Sequence, residues 1–553
     1  MRIPTRLPSS LLSRTVSRQL RAPRTTCLRA RWSSTSSPNE GRQWSTPLAK
    51  TLTEAITTTG PVPVAAYMRQ VLTAPDSGYY TSRPDGGDQF GQKGDFITSP
   101  EISQIFGELV GLWFVAEWML QGRKSSGVQL IEVGPGRGTL MDDMLRAIRN
   151  FKSMSSAIET VYLIEASPTL RAAQHKLLCA DSPLKETDIG HESTSKYSNL
   201  KIIWSEDIRL VPKDVTKTPF IVAHEFFDAL PIHIFESVAP PPPATSPSTP
   251  EPAAAADLTN PASIAAAVAA AQKAAQKNPS PKTNQWHELL VSPVPPHSTH
   301  ASLNTPSSLR AATPVPDFQL ARSKAPTPHS MYLPHTSSRY AALLRAPGSV
   351  IEISPESLSY AADFAVRIGG APLATASASP QKKAFGSVAD ADGEGEGEEQ
   401  STKPSPTGAA LVLDYGPLDT VPTNSLRGIR KHQPVSPFAL PGMVDVSADV
   451  DFTALAQAAI AASPGVEVHG PVEQAAFLEQ MGLRERAGVL VRKAGKAGDG
   501  EEGFKERVEK AAGRLVDRGP GGMGRLYKAL AIVPHFPEKP GRRPVGFGGD
   551  VGV

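Results

Sequence analysis

The sequence predicts an α/β fold on a doubly wound, largely parallel sheet, and three observations carry that expectation. Apolar runs of strand length recur at Leu130 to Val133, Val161 to Glu165, Lys201 to Trp204 and Phe220 to His224. Helix-length segments stand between such runs, as a crossover architecture requires. The first run ends in Gly134-Pro-Gly136-Arg-Gly138, and Thr139 to Ile148 then has the pattern of a helix.

The chain opens with eight arginines interleaved with serines and leucines, and no acid precedes Glu40. Residues 1–39 therefore read as a mitochondrial transit peptide, the competing reading being a basic nucleic-acid-binding arm. Without them 49 basic residues face 54 acidic ones, a formal charge of −5 against +3 for the whole chain. The basic pI of the full sequence is thus no argument for a nucleic-acid partner. Residues 40–122 form an N-terminal helical segment, with helices around Leu48 to Thr58 and Val64 to Leu72. A long helix is expected from Ser99, an N-cap followed by Pro100, with Ile102, Ile105, Phe106 and Leu109 on one face. Glu101 and Gln104 lie in its first turns. Two readings stand: an acid favoured by the helix dipole, or a lid that closes over a bound cofactor.

Residues 123–535 form the main domain. A dinucleotide turn requires G-x-G-x-x-G, and Thr139 stands where the third glycine belongs; no Gly-Lys-Ser or Gly-Lys-Thr follows either. NAD and phosphate cradling are both disfavoured. What remains is Glu132, the turn Gly134, Gly136 and Gly138, and a second strand that ends in Glu165. An acid there can accept hydrogen bonds from two ribose hydroxyls, the arrangement expected for S-adenosyl-L-methionine, with the glycines admitting its methionine part. Asp207, after the third strand, is either the acceptor for the adenine amino group or part of a solvated loop.

The fourth strand runs into Glu225-Phe-Phe-Asp-Ala-Leu-Pro231. Two carboxylates at the end of a buried strand are costly without a partner, so Glu225 and Asp228 mark a second chemical centre. Ile232 to Glu236 and Gln285 to Val291 read as paired strands. Low-complexity insertions at about 237–284 and 372–407 are expected to be disordered, in keeping with 53 prolines, about twice the usual share. A hairpin tip tolerates such length because closure costs only about 0.6 kcal/mol per doubling. Ser349 to Glu356 leads into a helix, Ala409 to Asp414 is the fifth strand, and a helix at Phe452 to Ala461 precedes the last two, Val466 to His469 and Leu526 to Val533. The sum is a seven-stranded class I methyltransferase sandwich with an added N-terminal helical segment and a tail at 536–553. Outside the leader Cys179 is the sole cysteine, which excludes an internal disulfide or a multi-cysteine metal site, and no metal is expected. The most apolar window, Leu109 to Leu120, is too short for a membrane span.

These segments together resemble the MidA-like family of mitochondrial arginine methyltransferases that assist respiratory complex I assembly. The matching stretches are Gly94 to Glu108, Leu130 to Leu140, Leu163 to Ser167, Glu225 to Pro231, Glu352 to Glu356, Leu411 to Gly416, Leu426 to Asp451 and Leu526 to Ile532. The resemblance implies a matrix enzyme that symmetrically dimethylates an arginine on a core subunit of complex I. Arginine stays protonated, with a pKa above about 12, so carboxylates must hold its planar fork and aim one nitrogen at the methyl donor. That role falls to Glu225 and Asp228, with Phe226 and Phe227 excluding water. One departure is His224, where the family usually has asparagine. Arg427, Arg430 and Lys431 are either a partner contact or a solvated basic face. A non-catalytic assembly chaperone that retains the cofactor fold is the alternative, and a small-molecule methyltransferase a third reading.

Overall fold

The computed structural model describes residues 44–81, 95, 97–240, 283–295, 315–373, 402–497, 501–538 and 541–548. The expected leader lies outside them, as do residues 241–282 and 374–401 of the two expected insertions. The principal sheet has nine strands: β1 (Val128–Val133), β2 (Ile158–Ile164), β3 (Lys185–Thr187), β4 (Gly190–Thr194), β5 (Lys201–Ser205), β6 (Thr218–His224), β7 (Ala409–Tyr415), β8 (Val466–Glu473) and β9 (Tyr527–Pro534). Their order is β8-β9-β7-β6-β1-β2-β5-β4-β3. Strands β7, β6, β1, β2 and β5 run parallel, β9 is antiparallel to both neighbours, and β3 and β4 add an antiparallel hairpin at the β5 edge.

That hairpin is why nine strands stand where the sequence predicts seven. Lys185–Thr187 and Gly190–Thr194 are short and polar. They have no apolar run, as suits an edge that must not template further pairing.

Both faces of the parallel strands are covered, so their side chains alternate between two cores. Leu130, Val161, Leu163, Phe220, Val222 and Leu411 join one, with helices Gln104–Leu120 and Thr139–Ile148. Ile131, Val133, Tyr162, Ile164, Ile221 and Val412 join the other, with helices Pro355–Gly369 and Phe452–Ala462. Strands buried on both sides read as continuous apolar runs, which made them visible in the sequence. The chain steps outward from β1 through β2 to β5, then returns to β6 on the other side of β1. The reversal opens a crevice at the carboxyl ends of β1 and β6, where ligands of open α/β sheets bind.

Over that edge stands a second assembly. Its five-stranded antiparallel sheet contains the expected hairpin, His233–Val238 paired with Gln285–Pro293, extended by Val350–Ile353 on one side and by Phe318–Arg322 and Val62–Pro63 on the other. A three-stranded sheet of Arg427–Arg430, Gln433–Val435 and Asp445–Ser447 lies beside it. Helices Pro47–Thr59 and Val64–Thr73 bury Leu48, Tyr67 and Val71 against Val291, Phe318 and Val446.

The long helix expected from Ser99 is two pieces. Thr98, not Ser99, caps a single turn, Ser99–Ile102, in a capping box with Glu101. Ser103 then turns extended, with φ −157° and ψ 129°, and its hydroxyl accepts the Ile105 N–H at 3.3 Å, so Gln104–Leu120 starts afresh. Serine can cap a helix or interrupt one, and here it does both. Among the described residues no helix is long and apolar enough to cross a membrane.

Candidate active site

The turn after β1 is shaped by glycine conformation. Gly134, Gly136 and Gly138 have φ of +68°, +53° and +86°, a region that L side chains rarely adopt. A Cβ on Gly134 would also sit 2.6 Å from Cδ2 of Phe226. Gly134 N–H donates to the Ile164 carbonyl at 3.1 Å, fixing the turn to the end of β2.

Two acids flank the turn from below. Glu132 is 2% exposed and its Oε2 has no hydrogen-bond partner; burial, aided by the charge of Glu165, pushes its carboxyl up to about 8. Burial also raises Glu165, to about 7, against hydrogen bonds from the Ser167 N–H at 2.8 Å and from Gln174 Nε2 at 3.2 Å. Gln174 also donates to the Gly136 carbonyl at 2.6 Å and accepts from Trp204 Nε1 at 3.0 Å. It therefore sets the height of the glycine turn against the acid that ends β2. Sequence reasoning missed it: Gln174 is an interior position of the helix Pro168–Cys179, with no motif around it.

At the end of β6 the backbone turns sharply. Glu225 has φ +48°, uncommon for a residue with a Cβ, and its N–H donates to the Leu413 carbonyl at 2.9 Å. The buried carboxylate of Asp414, at the end of β7, accepts the N–H groups of Phe226 (3.1 Å), Phe227 (2.9 Å) and Asp228 (3.4 Å) on one oxygen and that of Tyr415 (2.9 Å) on the other. This anchor holds the strained turn, and Asp414 is a second residue the sequence reading left without a role. Burial, then the charges of Asp228 and Asp414, raises Glu225 well above the ordinary carboxylate range. Burial raises Asp228 too, against a hydrogen bond from the Tyr415 hydroxyl, and its Oδ1 has no partner.

Two cavities meet at this turn. The first, about 240 Å³, is bounded by the glycine turn, Glu132, Glu165, His224, Glu225, Phe226 and Glu101. The second, about 480 Å³, is bounded by Glu225, Asp228, Tyr80, Tyr415, Arg427 and Asp445. Glu225 belongs to both; Asp228 faces only the second. Of the residues singled out in sequence, Glu132, Gly134, Gly136, Glu165, Glu101 and Glu225 line the first cavity, and Gly138 closes the turn as N-cap of Thr139–Ile148. Glu101 reaches over the turn to pair with Arg137 at 3.3 Å. Gln104 is exposed and lines neither cavity. Nor does Asp207, whose carboxylate accepts the Arg209 N–H at 2.8 Å and pairs with its guanidinium; Glu206 faces the first cavity instead. The one-residue difference follows from Asp207 serving as N-cap of the short helical turn Ile208–Leu210.

His224 is buried, and desolvation lowers it to about 3, so its imidazole is neutral. Its Nε2 lies 3.3 Å from Glu225 Oε1, and its ring packs 5.0 Å from that of Phe106.

The first cavity fits S-adenosyl-L-methionine on the chain's own features: a backbone cradle that a Cβ would fill, an acid just past the end of the neighbouring strand, and a buried carboxylate oxygen with no protein donor. Over residues 109–472 the chain matches the family described as "Putative S-adenosyl-L-methionine-dependent methyltransferase". It is 32% identical over 497 residues to the mitochondrial protein arginine methyltransferase NDUFAF7 of Rattus norvegicus, covering 89% of this chain and 85% of that one. Identity to the Homo sapiens protein of the same name is 31% over 501 residues, 90% and 86% of the two chains. A superfamily member from Burkholderia thailandensis, crystallised with S-adenosyl-homocysteine bound, shares the fold with a TM-score of 0.55 at 18% identity, over 91% of this chain and 93% of that one.

Proposed function

This chain belongs to the S-adenosyl-L-methionine-dependent methyltransferase family, and from that premise we propose that it is a mitochondrial matrix enzyme that symmetrically dimethylates an arginine on a core subunit of respiratory complex I. S-adenosyl-L-methionine is its methyl donor. The supporting observation is the place of Glu225, in the wall shared by a glycine-lined cavity and an acidic one.

When bound, the donor supplies a methyl group on a positively charged sulfur; transfer forms an N–C bond as the C–S bond breaks, its electron pair remaining on sulfur. Gly134, Gly136 and Gly138 admit the methionine part, Glu165 accepts from the ribose, and Glu132 takes a donor on its open oxygen. Glu101, bridged to Arg137, closes the site above. Glu225 and Asp228 grip the guanidinium from the second cavity, and Glu225 accepts the proton that the methylated nitrogen gives up. An entering cation restores the ionised form of both acids, which burial alone disfavours. Phe226, in contact with Gly134, keeps water from the junction. His224, being neutral, still offers one N–H donor and one acceptor beside Glu225, one donor fewer than the asparagine usual in the family.

A chaperone reading has less support, because a purely structural turn gains nothing from carboxylate oxygens left open. The decisive experiment incubates the purified protein with methyl-labelled S-adenosyl-L-methionine and the complex I subunit. Label recovered as symmetric dimethylarginine supports the proposal; an unlabelled subunit, or an asymmetric product, overturns it.

A further inference from the structure

The second cavity has a chemistry of its own. Arg427 neutralises one of its acids, pairing with Asp449 at 2.6 Å while its guanidinium lies 4.4 Å from the Tyr415 ring centroid. Glu225, Asp228 and Asp445 remain; the charge of Arg427 reaches Asp228 and Asp445 through space, but among the described residues no lysine or arginine lies within ion-pair distance of any of the three. Asp228 is 7% exposed and Asp445 5%. The Tyr80 hydroxyl donates to one oxygen of Asp445 at 2.8 Å, leaving the other to a ligand. Three largely enclosed carboxylates behind tyrosine walls, sharing one guanidinium that is already paired with Asp449, leave the cavity short of positive charge. A flat cation with several donors suits them better than a compact ammonium, because it can hydrogen-bond at its edge and stack on its faces. Arg427 on Tyr415 already shows that geometry with a side chain of this protein.

Resting on the reading above, we propose that the second cavity receives the acceptor's guanidinium, and that Asp445, held by Tyr80, is an acceptor-binding residue. It takes the end of the guanidinium fork turned away from the cofactor cavity, while Glu225 takes the end at the junction. The pocket then selects by charge and planarity at once: citrulline has the shape without the charge, lysine the charge without the fork.

The test is calorimetry on the full chain saturated with S-adenosyl-homocysteine, titrated with N-acetyl-arginine methylamide and with its citrulline counterpart. The arginine compound is expected to bind and the citrulline compound not to. Asp445→Asn is expected to weaken arginine binding at least about tenfold while leaving S-adenosyl-homocysteine affinity within about twofold. Indistinguishable heats for the two compounds, none included, overturn the assignment, as does arginine binding by Asp445→Asn at wild-type strength. If Asp445→Asn lacks a cooperative unfolding transition, Tyr80→Phe decides instead: about threefold weaker arginine binding supports the proposal, and unchanged binding overturns it. A protein that passes these tests yet transfers no methyl group to arginine sinks the enzymatic reading alone. Transfer with an unchanged acceptor KM in Asp445→Asn sinks only the role given to Asp445.

Discussion

Glu288, inside a strand, and Glu225, just past the end of one, are both acids with little access to solvent, and they are handled in opposite ways. Glu288, in the five-stranded sheet, has its carboxylate on His233 Nδ1 at 2.7 Å and on the Thr327 hydroxyl, with His329 at 3.5 Å. Burial pushes it up, but the hydrogen bonds from His233 and Thr327 together outweigh that and hold it below its ordinary value. Glu225 receives a single long backbone donor, Ser99 N–H at 3.4 Å, and is raised. An acid with its partners in place serves the fold; an acid whose partners are left out is ready for something that arrives.

The comparison breaks most easily at Glu225. Glu225→Gln should lower methyl transfer at least about a hundredfold, the low end of what a positioned proton acceptor contributes, while thermal stability holds or rises because a buried acid has gone. A variant that transfers at the normal rate would remove Glu225 from the chemistry. Glu288→Ala should do the reverse. It leaves the His233 N–H and the Thr327 hydroxyl without an acceptor, at about 1–3 kcal/mol, with turnover unchanged. Because the folded pKa of Glu288 is depressed, its contribution is present above the ordinary carboxylate value and lost as pH falls through the folded one. Denaturant midpoints of variant and wild type should therefore converge in acid; a constant gap down to acid pH would mean packing, not charge, is what the substitution removed.

A smaller effect sharpens the cofactor side. Gly136→Val places a β-branched residue at φ +53° in the turn that Gln174 holds at its carbonyl. S-adenosyl-homocysteine affinity should fall at least about tenfold, the cost of shifting a strained cradle, and calorimetry showing no change would take the turn out of the site.

The same contrast explains what could be read without coordinates. Strands β1, β2, β6 and β7 announced themselves because both faces are buried, and the glycine turn because positive φ selects the residue. Glu165 was legible as a cavity residue since an acid that ends a parallel strand comes out at the sheet's carboxyl edge. Gln174 and Asp414 were not, because their function lies in backbone groups brought close by the sheet: Gly136 is 38 positions from Gln174, and Phe227 is 187 from Asp414. Asp207 was displaced by Glu206 through a helical turn whose cap consumes the aspartate. Asp445, on a three-residue strand, carried no periodicity at all.

Glu132 supplies the finest test: like Glu288 it is buried inside a strand, but among the described residues no hydrogen bond reaches its carboxyl and the charge of Glu165 lies beside it. Its folded pKa of about 8 exceeds the ordinary glutamate value, so between about pH 4.3 and that value the ligand-free native state holds a proton the unfolded chain has released. Raising the pH through this window must cost stability, at most about 1.4 kcal/mol per pH unit. Glu132→Gln cannot titrate and is spared that cost. Its melting temperature relative to wild type should climb as pH rises from 5 to 8 and level off beyond. A difference that stays flat across the window would show Glu132 already ionised in the empty site, supplied with a donor after all, and the distinction between its carboxylate and that of Glu288 would vanish.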